Sequence, residues 1–331
     1  MRVTIVGAGA MGSLLAARLL SSRKDPPVSP DQAIEHVLLY GRPSAHLEAI
    51  QQHGLTLTEQ DGSRHTLEIP VSSDPADVEG SNLVIVLVKA WASAEAVAPL
   101  KSVLTRDAVV LTLQNGLGNA SAIRGALLHE GVRPHVWLGV TTQAAIRTAP
   151  GEVVHTGDGL TAIGRRSSNA NPQLRDLAQL LTANNWQTFA IDDIHRWVWR
   201  KLAVNAAINP LTALAGVQNG AIIDDAGLHS AAVTLASEVV EVALNNGINI
   251  QKNQVLAAVD EVARETGSNR SSMLVDLELG QRTEIDAING AVLAEARRAG
   301  LRVPANQLVT ALVRAREGQF RHHPDTGDEA N

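Results

Sequence analysis

The sequence predicts an α/β fold in two parts: a doubly wound, mostly parallel sheet, then an all-helical domain. Three features point there. The chain opens on an apolar run, a glycine turn and a helical run; its first half alternates strand-length apolar stretches with helical ones; and after Ile191 only helical periodicity remains. At 331 residues the chain suffices for two domains of ordinary size, placed at 1–190 and 191–318, with a polar tail over 319–331 expected to fray.

Taken in order, residues 2–6 read as a buried strand, 7–12 as a turn and 11–21 as a helix that packs through Leu14, Leu15, Leu19 and Leu20. Residues 22–35 carry Pro26, Pro27 and Pro30 and read as a surface loop before a strand at 36–40. Residues 54–58 and 65–71 flank Asp61-Gly62, a hairpin signal. The runs 83–88 and 108–113 are continuously apolar, as strands covered on both faces must be. A strand at 136–142, further strand candidates near Val153 and Leu160, and a helix over 172–183 complete the first domain. Helices are then expected over 192–209, 230–245, 254–265, 271–279 and 284–299.

Composition narrows the function classes. Aromatics make up 2% of residues and the formal charge is −6 with no long basic run, so neither base stacking nor a phosphate-backbone footprint has support, and nucleic acid is excluded as main partner. The chain has no cysteine, which removes disulfides, thiolate catalysis and iron–sulfur ligation. Its eleven histidines show no metal-ligand spacing, and His322 and His323 fall in the polar tail, so no metal is expected. No apolar stretch of membrane-spanning length is found, so no membrane association and a cytoplasmic location are expected. The N-terminus resembles a signal peptide only until Gly7, Gly9 and Gly12 interrupt it.

Those glycines belong to Gly7-Ala8-Gly9-Ala10-Met11-Gly12, a G-x-G-x-x-G turn placed directly between strand and helix. The first glycine allows the tight turn, the second lets a pyrophosphate approach the backbone, the third lets helix and strand close up, and the helix N-terminus stabilises the anion. This is the Rossmann dinucleotide fingerprint. The second strand ends Leu38-Leu39-Tyr40-Gly41-Arg42 with no acidic residue for ribose hydroxyls, whereas Arg42 suits the 2′-phosphate of NADP. Lys89 and Asn115 follow two further strands and reach the same ligand-binding edge; their alternatives are a solvated strand-end charge and an ordinary turn asparagine.

In the helical half, Lys201, Asn205 and Asn209 stand four residues apart in an apolar run and so form one polar stripe spanning about 80° of helix circumference. An ammonium and two amides in line suit a small oxo acid, which presents a carbonyl, a hydroxyl and a carboxylate; a snorkelling lysine with two surface amides is the plainer reading. Thr283-Glu284-Ile285-Asp286 reads as a helix start with Thr283 as cap and Glu284 in the first turn, ionised and able to pair with Lys201. Ser271-Ser272, one short helix earlier, offers a hydroxyl.

With these segments in this order, the chain resembles the ketopantoate reductase (2-dehydropantoate 2-reductase) family from residue 1 nearly to the tail. The most specific stretches are Lys201-Leu202-Ala203-Val204-Asn205-Ala206-Ala207-Ile208-Asn209-Pro210, then Asn219-Gly220, Asn269-Arg270-Ser271-Ser272-Met273-Leu274 and Thr283 through Gly290. Where the family often has Gln-Asp after Ser-Ser-Met-Leu, this chain has Val275-Asp276. The resemblance implies an N-terminal Rossmann domain, a C-terminal helical domain of the 6-phosphogluconate dehydrogenase-like type, and an active site in the cleft between them. It implies NADPH-dependent reduction of 2-dehydropantoate to pantoate, in pantothenate and coenzyme A biosynthesis. By matching motifs, Lys201 corresponds to the general acid, and Asn115, Asn205, Asn209, Asn219 and Ser272 to substrate contacts. Gly7, Ala8, Gly9, Ala10, Met11, Gly12, Arg42, Lys89, Asn115, Ala145 and Glu284 correspond to cofactor contacts, with Glu284 also near the lysine. The partners expected are a small-molecule 2-oxo acid and, as an option, a second copy of the chain in a homodimer.

Two rival functions are weighed against this one. An NAD(P)-dependent D-2-hydroxyacid dehydrogenase acting on another branched or aromatic 2-oxo acid would keep the same general acid. A non-catalytic NADP-sensing regulator would need the glycine turn but neither Lys201 nor Glu284, and both are present.

Overall fold

The computed structural model of the protein describes residues 1–21, 33–129, 134–165 and 172–321, with 320 and 321 described by backbone alone. Most of the Pro-rich segment, including Pro26, Pro27 and Pro30, lies outside the described residues, as do His322 and His323. The chain divides into two units, Met1–Gln114 with Gly118–Ile194, and Asn115–Leu117 with His195–Asn331.

The strands of the first unit are β1 (Arg2–Val6), β2 (His36–Tyr40), β3 (Leu55–Thr58), β4 (Arg64–Leu67), β5 (Val71–Ser72), β6 (Leu83–Val86), β7 (Val109–Thr112), β8 (His135–Thr141), β9 (Ala144–Ala149), β10 (Glu152–Gly157), β11 (Thr161–Gly164) and β12 (Thr188–Ile191). Its helices are α1 (Ala10–Ser21), α2 (Ala45–His53), α3 (Ser93–Val97), α4 (Asn119–Ala126) and α5 (Pro172–Ala183). Eight strands form one sheet in the order β12-β11-β8-β7-β6-β1-β2-β5, parallel except where β11 meets β8. Because β1 has β2 on one side and β6 on the other, the winding reverses there, which opens a crevice at the carboxyl ends of these strands.

Successive residues of each strand serve opposite faces, as the pleat requires. Val3 and Ile5 join Leu14 and Leu15 of α1 and Leu177 and Leu181 of α5 in one core, while Val6, Val84 and Val86 join Val97 of α3 and Ile123 of α4 in another. Continuous apolar runs follow directly from two covered faces. The Asp61-Gly62 hairpin joins β3 to β4 within a second sheet of order β4-β3-β10-β9. Arg18 of α1 grips that sheet, donating to both carboxylate oxygens of Glu59 at 2.6 and 2.7 Å.

Helices α2, α3 and α4 and strands β9 and β12 of this unit are not among the elements expected from sequence. In β9 the pattern is blurred because Ile146 faces solvent, and in α2 one of the three buried side chains is His46. His46 nevertheless has a place: its Nδ1 accepts from the Gly151 backbone N–H at 2.9 Å, which puts its proton on Nε2, 3.0 Å from the Ser13 hydroxyl. Strand β12 lies at the edge of its sheet with residues 189–191 only partly buried, and so lacks a full apolar run.

The second unit holds α6 (Ile194–Ala215), α7 (Ala221–Asp224), α8 (Ala226–Asn245), α9 (Lys252–Glu265), α10 (Ser272–Glu278), α11 (Asn289–Arg298) and α12 (Pro304–Arg321), with no strand among its described residues. One core runs through it, built on Leu202, Ala203, Ala206 and Ala207 of α6, Leu235 and Val239 of α8, Val292 of α11 and Val313 of α12. Helix α8 is long and apolar enough to match a membrane span by length and composition, contrary to the sequence reading. Its apolar face is core, however, and its Glu238 accepts from the backbone N–H groups of Ala305 and Asn306, both at 2.9 Å, at the start of α12.

Three boundaries differ from expectation. Helix α6 does not stop before Pro210 but continues to Ala215. Proline lacks the N–H that would bond the Ala206 carbonyl and its ring crowds that oxygen; the buried Asn289 side chain supplies the missing donor at 3.0 Å. Asn289 also donates to Asn306, whose amide reaches the Leu235 carbonyl and Glu238, so α6, α11, α12 and α8 share one buried polar chain. Helix α12 lies beyond the helices expected, although Ala305, Leu308, Val309, Leu312 and Val313 stand at helical spacing; its buried face, Asn306, Val309, Thr310 and Val313, is turned from that stripe, so that Leu308 and Leu312 meet solvent. It runs to Arg321, into the stretch expected to fray from 319.

The third correction concerns Thr283-Glu284-Ile285-Asp286, which is not the start of a helix; α11 begins only at Asn289. Thr283 does cap a turn, its hydroxyl accepting from the Ile285 N–H at 3.1 Å, and the Glu284 carbonyl accepts from Ala287 and Ile288, both at 3.0 Å. A single turn has no macrodipole to speak of, so Glu284 is stabilised by specific partners instead.

Candidate functional site

In the first unit the glycine turn joins β1 to α1 with the tightness its sequence implies. Gly7 holds φ +120°, and a Cβ on Gly12 would stand 2.0 Å from the Gly7 carbonyl oxygen, so only hydrogen fits. A Cβ on Gly9 would meet nothing within 4 Å. The second glycine therefore leaves open space over the backbone, beside Ala8 and the first helical residues Ala10 and Met11, and no acidic residue stands in the first turn of α1. A pyrophosphate fits such a cradle on steric and electrostatic grounds.

Arg42 follows the end of β2 and is exposed; its guanidinium lies 3.3 Å from the equally exposed Glu95 of α3. Lys89 follows β6 and is half-buried. Ala145 lies on β9, paired with His155, and packs on the same core as Ala8 and Met11.

In the second unit, Lys201, Asn205 and Asn209 occupy successive turns of α6 as their spacing requires. The Asn115–Leu117 loop docks on the 284–287 turn: the Leu117 N–H donates to the Ala287 carbonyl at 2.9 Å, and a Cβ on Gly116 would stand 2.2 Å from that same oxygen. This places the Asn115 amide 3.2 Å from the buried Glu284 carboxylate, to which it donates. Glu284 in turn acts on Lys201. Burial of the ammonium end, though the residue as a whole is only partly covered, pulls the Lys201 pKa down from 10.5 to about 8, and the Glu284 carboxylate opposes that pull without overcoming it. The competition that sequence leaves open thus goes to desolvation.

Asn219, also buried, donates from Nδ2 to the Thr266 hydroxyl at 2.9 Å. That hydroxyl spends its own proton on the Val262 carbonyl at 2.6 Å, which fixes the orientation of the amide. Asn219 Oδ1 is left buried with no hydrogen-bond partner. Ser272 opens α10 and is exposed; its neighbour Ser271 caps that helix and lies 2.8 Å from the Thr212 hydroxyl of α6. Hence Lys201, Glu284 and Asn115 are brought together, while Asn219 is oriented by the turn around Thr266. Neither Thr266 nor Glu95 carries a sequence signal, since each gains its meaning from a partner more than forty positions away.

Two family descriptions match the chain: "Ketopantoate reductase PanE/ApbA" over residues 3–168 and "Ketopantoate reductase PanE/ApbA C terminal" over residues 193–317. The 2-dehydropantoate 2-reductase of Halobacterium salinarum is 36% identical over 315 residues, 95% of this chain and 98% of that protein. The enzyme of that name from Pyrococcus horikoshii is 34% identical over 96% of this chain and 98% of its own length. Among solved structures, a PanE/ApbA family ketopantoate reductase from Ralstonia eutropha superposes with a TM-score of 0.84 at 30% identity, covering 97% of this chain and all of that one. D-mandelate dehydrogenase with NADH and anilino(oxo)acetate does so with a TM-score of 0.87 at 27% identity, with the same coverage.

Proposed function

The chain belongs to the ketopantoate reductase family, and from that membership and the Lys201 site we propose that it reduces 2-dehydropantoate to pantoate with NADPH. The observation that carries the reading is the Lys201 ammonium, with a pKa of about 8, held in the field of a buried carboxylate. Such a lysine is charged at neutral pH yet able to give its proton away.

NADPH supplies the hydride when bound. The first unit, residues 1–190 in functional terms, is the cofactor domain: Gly7 to Gly12 cradle the pyrophosphate, Arg42 takes the 2′-phosphate, and Lys89 and Ala145 complete the contacts. The second, residues 191–318, carries the chemistry. As the ketone becomes an alkoxide, Lys201 stabilises the developing charge and then protonates the oxygen. Glu284 keeps the lysine charged below its pKa and Asn115 keeps Glu284 in place. Asn205, Asn209 and Ser272 orient the oxo acid, and Asn219 Oδ1 accepts from its hydroxyl.

The test is loss of NADPH absorbance on addition of 2-dehydropantoate, followed across pH. Reduction needs the protonated lysine, so kcat should stay level below about pH 8 and fall about tenfold per pH unit above it. A flat profile through that range removes Lys201 as the acid. The structural likeness to D-mandelate dehydrogenase supports a second reading, a D-2-hydroxyacid dehydrogenase for an aromatic or branched 2-oxo acid, and faster turnover of such acids than of 2-dehydropantoate would establish it.

Cofactor choice is decided by magnitudes at Arg42. Its ion pair with Glu95 is exposed on both sides and so contributes at most about 1 kcal/mol, whereas a charge-assisted phosphate contact contributes about 1.5–3 kcal/mol. Arg42 therefore yields to the 2′-phosphate. Arg42→Ala should weaken NADPH binding at least about tenfold and NADH binding much less. Equal efficiency of the unmutated enzyme with both cofactors overturns this assignment.

A further inference from the structure

The segment that carries Glu284 is not part of a helix, and besides the Asn115–Leu117 loop it is held from the far end of the chain. Glu317, near the C-terminal end of α12, accepts through Oε1 from both the backbone N–H of Thr283 at 2.7 Å and the Thr283 hydroxyl at 2.5 Å. Since that hydroxyl simultaneously accepts from the Ile285 N–H, its single proton has one destination, the Glu317 carboxylate. One turn earlier on α12, Arg314 bonds the Asp286 carboxylate, which also takes Arg282 at 3.1 Å. Two side chains of α12 thus grip the residues on either side of Glu284.

The two grips are unequal. Arg314 is 57% and Asp286 41% exposed, so solvent screens that pair. Thr283 is 1% exposed and Glu317 partly buried, and a charge-assisted double acceptor with one partner out of solvent is both stronger and more restrictive in geometry. We propose that Glu317 is a positioning residue for the reduction, fixing Thr283 so that the adjoining Glu284 carboxylate stays against Lys201 and Asn115. The inference rests on the reading of Lys201 as the acid.

Its test reads Lys201 directly, in the protein without cofactor. The chain has five lysines, 24, 89, 101, 201 and 252, so 13C-dimethylation gives a countable NMR titration in which Lys201→Arg assigns the signal. Glu284 opposes the pull of burial on Lys201, so letting Glu284 drift lowers the lysine pKa further. Glu317→Ala should shift the Lys201 titration to lower pH and lower kcat about tenfold, the scale of a modest misplacement at an acid. Glu317→Gln keeps the acceptor oxygen and should restore both. A purely structural Glu317 would change only the melting temperature.

A folded Glu317→Ala protein with unchanged Lys201 titration and kcat overturns the proposal, as does equal damage in the Gln variant. If Glu317→Ala does not fold, Thr283→Val removes the hydroxyl arm and Thr283→Ser restores it. The same two readouts then decide: a lowered titration and kcat in the Val variant, recovered in the Ser variant, support the positioning role, and no change in either overturns it. Lys201→Ala, assayed in parallel, separates the layers: if it keeps its kcat, the general-acid reading fails, while the titration still decides whether Glu317 positions Glu284.

Discussion

Lys201→Ala should fold normally and lose about 10²- to 10⁴-fold in kcat, the usual contribution of a positioned acid. The substitution removes both the proton donor and the charge that the forming alkoxide requires, so loss should appear in turnover more than in cofactor affinity. NADPH binding is expected to stay nearly unchanged, since the glycine cradle and Arg42 belong to the first unit. Glu284→Ala should cost less, because it leaves the donor in place and only lowers its pKa further. The plainer reading of Lys201 as a snorkelling residue predicts a stability change of about 0.5 kcal/mol or less and intact turnover. Steady-state kinetics with circular dichroism on the purified variant separate the two, and near-normal kcat in a folded protein sinks the assignment.

The second large effect is expected from the substrate side. On the proposed reading Asn219 Oδ1, buried and without a donor, accepts from the terminal hydroxyl that 2-dehydropantoate brings. A site built to bond a hydroxyl leaves a buried group unpaired when the analogue lacks it, which discriminates by as much as about 10⁴-fold. The enzyme should therefore reduce 3,3-dimethyl-2-oxobutanoate, identical but for that hydroxyl, with kcat/KM lower by up to about that factor. Asn219→Ala should narrow the gap by losing efficiency only with the hydroxylated substrate. Comparable kcat/KM for both acids in the unmutated enzyme would give the site to a different 2-oxo acid.

What can be read from sequence is what obeys a local period or a local turn. The continuous apolar runs of β1, β6 and β7, the glycine turn and the polar stripe of α6 are each written within a dozen residues, and each stands where its pattern places it. Glu284 is legible as a residue but not in its setting: a capping pattern suggests a helix, and the turn is instead closed by Glu317, 34 positions from Thr283. In α12 the helical spacing is legible but the buried face is not, because that face is partly polar, and those polar groups are needed there, Asn306 by Asn289 and Glu238, Thr310 by the Asn306 carbonyl. The free oxygen of Asn219 and the pairing of Arg42 with Glu95 are equally invisible, since both depend on which distant group arrives first.

The proline in α6 has a consequence for the order in which the protein can be made. A ribosome finishing α6 has produced the whole Lys201 stripe, yet the Ala206 carbonyl at its centre still lacks the donor that arrives with Asn289, 83 residues later. Until then water must supply that donor, and the carbonyl cannot be buried without cost. Asn289 in turn is anchored through Asn306, so α12 must also be present. The face of α6 that holds the Ala206 carbonyl can therefore be buried without loss only when α11 and α12 are packed on it, so the polar stripe is fixed by elements far from it in sequence.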